Sequence, residues 1–294
     1  MPDFSVGAAN VYGELVPVAE AKISILDWGF LHSDATYDVV HVWDGAFFRL
    51  DDHLDRFFAG MAALRMSIPH SRAELVDVLS ACVAASGLRE AYVEMIVTRG
   101  TPEPGSRDPR RCTNQFFAFA IPFVWVAPPG QGLHLVVTDR QRIPPASVDP
   151  TVKNYHWLDL VMGQFDAYDR GGETAAVVDA DGNLTEGPGF NLFAVTGSEL
   201  RTPASGVLQG ITRKTALALA AEQDLGVVEG TLSLAQVMAA DEVFATSTAG
   251  GIMPITAVDG RTVGLGQMGP ITRALHDAYW ALHRDPRHNT PIRY

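Results

Sequence analysis

Three Asp-Gly dipeptides constrain this chain more than any other local feature. Asp44-Gly45 sits between two strand-like runs, 37–43 and 46–48, while Asp181-Gly182 and Asp259-Gly260 mark turns in the second half. A two-residue type I′ turn needs positive φ at both central positions, which Gly adopts freely and Asp tolerates. Asp-Gly flanked by apolar runs therefore predicts a β-hairpin. A doubly wound parallel sheet would instead join its strands through crossovers of a dozen or more residues. Hairpins in both halves, interspersed with isolated helices, predict an α+β fold.

Helix signals fill the gaps. Asp51-Asp52 precedes Leu54, Phe57, Phe58, Met61 and Leu64 at helical spacing, so these acids are expected to cap a helix. Ser71 with Glu74 three residues on is a capping-box pattern, and Gly87 closes that helix. Val16-Pro17-Val18, 22–26, 91–98 and 116–126 read as strands, the last two separated by a polar loop over 100–111. Ala127-Pro128-Pro129-Gly130-Gln131-Gly132 is a Pro/Gly cluster between periodic segments. It predicts a small N-terminal α+β domain (1–126), a linker (127–132) and a larger C-terminal domain (133–294). The latter reads as a strand at 133–138, a helix to about Tyr168 stopped by Gly171-Gly172, a strand at 190–195 and a helix at 212–223. A short helix at 234–239, a strand at 242–246 and a last helix near 271–283 follow, with a polar tail, 285–294, expected to fray.

Composition narrows the function classes. With 22 Lys and Arg against 34 Asp and Glu, the net charge of −12 argues against a nucleic-acid or anionic-membrane footprint. Cys82 and Cys112 are too few for a disulfide framework. Met1-Pro2-Asp3-Phe4-Ser5 has no signal-peptide pattern, and the longest apolar run, 116–126, is strand-sized and contains Pro122. The expectation is a cytoplasmic protein. Gly264-Leu265-Gly266-Gln267-Met268-Gly269 matches G-x-G-x-x-G, but no βαβ unit with a downstream acid can follow it, so it reads as a glycine-rich loop. The nine histidines show no metal-ligand spacing, and no G-x-S-x-G elbow is present. No metal is expected.

Four features fit one chemistry. Lys153, before a helical pattern, offers an amine that can form an imine. Glu186, followed by Gly187-Pro188-Gly189, offers a rigidly held carboxylate. Gly210-Ile211-Thr212 opens a helix where free N–H groups and the dipole favour a phosphate. Ser247-Thr248-Ala249-Gly250-Gly251 after a strand offers a second anion nest. Taken singly, each has a plainer reading: a surface lysine, a solvated glutamate, ordinary turns. Together they supply what pyridoxal 5'-phosphate needs: an imine partner, a partner for its ring nitrogen, and an anchor.

From about Ile23 to Ile255 the sequence resembles the fold-type-IV pyridoxal-phosphate enzymes, which include branched-chain and D-amino acid aminotransferases and aminodeoxychorismate lyase. The resemblance rests on Thr151-Val152-Lys153-Asn154, Leu184-Thr185-Glu186-Gly187 with Asn191-Leu192-Phe193, Gly210-Ile211-Thr212-Arg213, and Ser247-Thr248-Ala249-Gly250-Gly251. It implies a two-domain fold in which Lys153 holds the cofactor and Glu186 pairs with the pyridine nitrogen. Arg56, Ile211, Thr212 and Thr248 would bind the phosphate. Phe30-Leu31-His32-Ser33-Asp34-Ala35-Thr36-Tyr37-Asp38-Val39 and Tyr92-Val93-Glu94-Met95-Ile96-Val97-Thr98-Arg99-Gly100 look like the (R)-selective amine transaminases. By that resemblance His32, Tyr37, Tyr92 and Glu94 line the substrate pocket, with Trp157 near the cofactor. A mobile arginine, Arg107 with Arg110 and Arg111 as alternatives, would bind the acceptor's carboxylate. The resemblance also implies small amine and keto-acid substrates and a homodimer with shared sites. D-amino acid or branched-chain aminotransferases and the lyase are the rivals on the same scaffold. Glu94 itself would repel an α-carboxylate, unless a neighbouring arginine pairs with it and silences its charge.

Overall fold

Asp44 and Gly45 take φ of 49° and 79°, and Asp259 and Gly260 take 47° and 75°, the two-residue geometry expected of these hairpins. A third turn of this kind, Tyr12-Gly13 at 54° and 85°, joins the first two strands and carries no Asp to announce it. At Asp181-Gly182 only Gly182 is left-handed, and the turn is held by the Asp179 carboxylate, which accepts from the Asp181 and Asn183 amides. The computed structural model describes residues 3–294. Met1 and Pro2, which open the stretch read for a signal peptide, lie outside them.

The chain forms two compact units. The first contains β1 (Ala8–Val11), β2 (Glu14–Pro17), α1 (Trp28–His32), β3 (Ala35–Trp43), β4 (Ala46–Phe48), α2 (Leu50–Ala63), α3 (Arg72–Ser86), β5 (Ala91–Pro102) and β6 (Cys112–Pro122). Together with a late strand, β16 (Asn289–Pro291), they make a seven-stranded sheet in the order β16-β4-β3-β5-β6-β1-β2, antiparallel throughout. Val40 and Val42 of β3 and Val93, Met95 and Val97 of β5 point to the helices, packing with Leu54 and Phe57 of α2 and Leu75 and Leu79 of α3. Each such side chain contributes about 1.5–3 kcal/mol on burial. Strand alternation sends Tyr37, Val39, Tyr92, Glu94 and Ile96 to the opposite face, with Val39 directly across from Glu94 and Tyr37 from Ile96.

Two helix starts show how far local chemistry reaches. Ser71 and Glu74 form the capping box, their side chains accepting from each other's amides at 3.3 and 2.7 Å. In α2, by contrast, Asp51 and Asp52 lie inside the first turn rather than capping it. The N-cap is Arg49, left-handed at φ 54°, whose guanidinium holds Asp52 at 2.7 Å. Residues 22–26 are not a strand. Ser24 and Asp27 bond locally to the Leu26 and Gly29 amides, and Asp27 thereby caps α1. The sixth strand ends at Pro122, short of the expected 126.

The second unit holds β7 (Leu133–Gln141), α4 (Leu158–Asp169), β8 (Thr174–Val178), β9 (Glu186–Gly187), β10 (Phe190–Thr196), β11 (Glu199–Pro203), α5 (Ile211–Glu222), β12 (Gly226–Gly230), α6 (Leu234–Ala239), β13 (Glu242–Ser247), β14 (Gly251–Val258), β15 (Arg261–Thr262) and α7 (Pro270–Ala281). Its nine-stranded sheet is mixed. The path runs β12-β11-β10-β13-β14-β7-β8, with β9 on β10 and β15 on β14. Neighbours β7 and β8 are parallel with α4 as crossover, as are β11 and β12 with α5. The glycine-rich stretch 264–269 is a loop ahead of α7.

The division differs from a linker at 127–132. The first unit runs to Val124 and also takes in 152–155 and 285–294, so Lys153 and the tail belong to it rather than to the C-terminal half. Hydrogen bonds are the reason. The Lys153 carbonyl accepts from the Tyr37 amide at 3.1 Å and the Thr36 hydroxyl at 2.9 Å, and Asn154 bridges Thr36 in antiparallel fashion. The tail does not fray: β16 pairs with β4, Ile292 is buried, and the Tyr294 hydroxyl donates to the Leu88 carbonyl at 2.7 Å.

Candidate active site

In the first unit, Lys153 projects over the sheet face that the helices leave open. Its Nζ sits 4.4 Å from the centroid of the Tyr37 ring, where the ring quadrupole attracts an ammonium. Tyr155, two residues on, stacks on Tyr37 with centroids 4.2 Å apart and planes 7° from parallel. Its hydroxyl donates to Glu94 Oε1 at 2.5 Å, while Tyr92 donates to Glu94 Oε2 at 3.2 Å. Burial pushes the Glu94 carboxyl above the usual range, opposed by the Tyr155 hydrogen bond and the Lys153 charge. Burial and the nearby Glu94 charge push both phenols well up, so they stay donors. No arginine pairs with Glu94 among the described residues, so the arginine pairing weighed from the sequence is not found there.

Behind Tyr37, on the helix face, Asp38 is fully buried. It accepts from Arg56 Nε at 2.7 Å and Nη2 at 2.8 Å, from His53 Nδ1 at 2.8 Å, and from the Val39 amide. Burial would raise this carboxyl, but Arg56 and His53 hold it well below its ordinary value. Burial lowers His53, so the neutral ring donates its Nδ1 proton to Asp38. Arg56, expected on the phosphate, is therefore aimed by a bidentate carboxylate.

His32 closes α1, exposed and edge-on to Trp28 at 4.7 Å; its contacts do not join it to Tyr37, Tyr92 or Glu94. In the 100–111 loop Arg110 is paired with Asp108 and Arg111 with Glu103. Arg107 is exposed and, among the described residues, has no carboxylate partner.

In the second unit Glu186 is buried on β9. Its Oε1 accepts from Arg142 Nε at 3.0 Å and its Oε2 from the Leu208 amide at 3.0 Å. Asp159 at the start of α4 takes Arg142 Nη1 at 2.7 Å. Burial would lower the Arg142 guanidinium, and the two carboxylates more than offset it. Gly210 caps α5 without a side-chain acceptor, so the amides over Ile211 and Thr212 open the helix. A Cβ at Gly210 would come within 2.3 Å of Asn191 Oδ1, and Asn191 Nδ2 holds the Leu208 carbonyl at 2.8 Å, so this loop is fixed where only glycine fits. Ser247 ties its own turn together by donating to the Gly189 carbonyl at 2.8 Å and accepting from the Ala249 amide at 3.1 Å, with half-buried Thr248 between. Trp157 is the N-cap of α4, with its ring 3.7 Å from where a Gly189 Cβ would stand.

Sequence reasoning missed Tyr155, Asp38, His53, Arg142 and Asp159 in these arrangements. Only Tyr155 left a signal, since residues two apart on an extended segment share a face.

The sequence matches the family model described as amino-transferase class IV over residues 35–258. A putative branched-chain-amino-acid aminotransferase of Methanocaldococcus jannaschii is 34% identical over 273 residues, covering 91% of this chain and 93% of the relative. The D-alanine aminotransferase of Bacillus licheniformis is 29% identical over 269 residues, with 90% and 93% covered. Among solved structures, the branched-chain amino acid aminotransferase from Thermobaculum terrenum in its PLP-form superposes with a TM-score of 0.89 at 26% identity, over 99% of this chain and 100% of that one. The matched segment spans the strands that carry Tyr37 and Glu94, Lys153 itself, Glu186 and the loops at 210 and 248, and the chain belongs to the class IV aminotransferase family.

Proposed function

We propose that this enzyme is a pyridoxal-phosphate-dependent transaminase that moves an amino group between an (R)-configured primary amine and a keto acid such as pyruvate. The observation that carries the amine reading is Glu94, a buried carboxylate held by two phenols and, among the described residues, paired with no arginine. A pocket for an α-amino acid needs fixed positive charge, and a held negative charge opposes the donor's carboxylate. Arg107, unpaired among the described residues, is the group left to meet the acceptor's carboxylate.

The residues fit the cofactor. Lys153 offers an amine on an open face, Glu186 an anion fixed by Arg142, and the uncapped α5 start with the Gly210 cradle a phosphate site. Ile211, Thr212 and Thr248 would bind the phosphate there, and Arg56, aimed by Asp38 in the first unit, is proposed as a further phosphate ligand. When bound, pyridoxal phosphate supplies an electron sink for the charge left when the substrate carbon loses its proton. Lys153 Nζ takes that proton, and the Tyr37 face beneath it favours the ammonium that results. Glu186, its carboxylate fixed by Arg142 and the Leu208 amide, would hold the proton on the ring nitrogen. In the first unit Tyr37 and Tyr92 would shape the space around the donor. The homodimer is part of this reading. Leu158, Val161, Met162, Phe165 and Tyr168 form an exposed apolar stripe along α4, as an interface between two copies requires.

A second reading, an amino-acid aminotransferase, is favoured by the names of the relatives. Incubating the enzyme with (R)- or (S)-1-phenylethylamine and pyruvate and following acetophenone separates the two. Acetophenone from the R enantiomer alone is expected. No product from it, with turnover of D-alanine or leucine, would reject the amine reading.

A further inference from the structure

Tyr155 joins three parts of the first unit. Its backbone follows a segment stitched to β3, where the Lys153 carbonyl takes the Tyr37 amide and the Thr36 hydroxyl. Its ring stacks on Tyr37, the ring that carries the lysine's ammonium. Its hydroxyl reaches over to β5 and makes the shorter of the two hydrogen bonds to Glu94. Glu94 stands in an apolar frame, flanked across the sheet by Val39 and Phe119. A carboxylate so placed loses charge stabilisation when either oxygen is left unsatisfied, even with the Lys153 charge nearby. Among the described residues Oε1 has one donor, Tyr155, and Oε2 has Tyr92 at the longer distance.

We infer that Tyr155 is a positioning residue for donor specificity: its hydroxyl holds Glu94 as a fixed anion beside Lys153, and that anion turns α-carboxylate-bearing donors away. The inference rests on the amine reading and adds to it the group that maintains the filter. Without the hydroxyl, Glu94 sheds its charge by taking a proton, and the barrier to a carboxylate falls. The ring stack on Tyr37 survives in Tyr155→Phe, so the lysine's platform is kept while the tether is cut.

The test uses purified holoenzyme as wild type, Tyr155→Phe, Glu94→Gln and the double variant. Two quantities are read for each. One is the ratio of kcat/KM for D-alanine to that for (R)-1-phenylethylamine, with KM and kcat separated. The other is the affinity for 3-phenylpropanoate, an unreactive carboxylate, by spectral titration. Removing a like charge at this range is expected to raise both by at least about tenfold in each single variant, through KM rather than kcat. The double variant is expected to go no further than Glu94→Gln, because the two residues act through one charge. Glu94→Gln moving both quantities while Tyr155→Phe leaves them within twofold of wild type would overturn the tether and leave the amine reading standing. Additive effects in the double variant would also overturn it. A wild type inactive on the R amine, with carboxylate affinity still rising in both single variants, would instead reject the amine reading and retain the tether.

Discussion

A single buried carboxylate, Asp38, serves four donors from three residues, and this fixes how acid acts on the fold. Its carboxyl is held low in the folded state, so its contribution is fully present above the unfolded value near 3.8 and is lost only as pH falls through the lower folded value. The acid limb at milder pH belongs to histidines. Burial lowers His53, and lowers His283 to about 4, so below pH 6.5 the unfolded chain binds protons that the folded chain refuses. Stability is therefore expected to decline as pH drops from about 6.5 towards about 4. Thermal melts across that range should show it, with His283→Gln flattening the slope. For the chemistry, Lys153→Ala is expected to abolish acetophenone formation. Glu186→Gln should lower turnover by about 10²–10⁴-fold while absorbance shows most of the cofactor retained. Unchanged turnover in either variant would remove its assigned role. Lys153 and Glu186 could be singled out as candidates from the sequence because each sits in a compact local motif. Arg142 and Asp159 were not, because their roles are set by contacts 44 and 17 residues apart in sequence that no local pattern encodes.

Elements were legible where a start or a stop is local. The Ser71–Glu74 box is one such place, and Ser71→Ala should cost about 1 kcal/mol by denaturant titration. A loss below a few tenths would mean that the cap is redundant. The Asp-Gly turns at 44–45 and 259–260 were equally readable. What local signals could not give is which strand a distant segment joins. Residues 285–294 are polar and short, yet they complete the sheet edge at β4 and bury Ile292. Deleting them should lower the melting temperature and promote association, because β4 would present an unpaired edge. Light scattering during the melt reads the second effect, and an unchanged melt would show the strand to be dispensable. Residues 22–26 misread in the opposite sense, since Ser24 and Asp27 outbid strand propensity by bonding to their own backbone.

For the whole molecule, two units with separate sheets set what one chain offers to another. The apolar stripe on α4 runs from Leu158 to Tyr168 on one helix face. Light scattering coupled to size exclusion should report a dimer for the wild type, and Leu158→Glu with Phe165→Glu should shift it towards monomer. A wild type that is monomeric and active when dilute would contradict the homodimer. A two-domain α+β fold was anticipated, but the return of residues 152–155 and 285–294 to the first unit was not. The boundary was sought in a Pro/Gly cluster, whereas hydrogen bonds from the Thr36 hydroxyl and the Tyr37 amide decide where Lys153 belongs.

The return of β16 to β4 has a consequence for synthesis. A ribosome releases residues 1–124 first, yet their sheet lacks the segment at 152–155 and, later still, its outermost strand. The second unit, whose members lie between 125 and 284, has all its strands available before that last strand emerges. The usual order, in which the N-terminal unit finishes first, is reversed at the final step. Until then β4 has an open edge, and the sheet that carries the tyrosine cluster around Lys153 is one strand short.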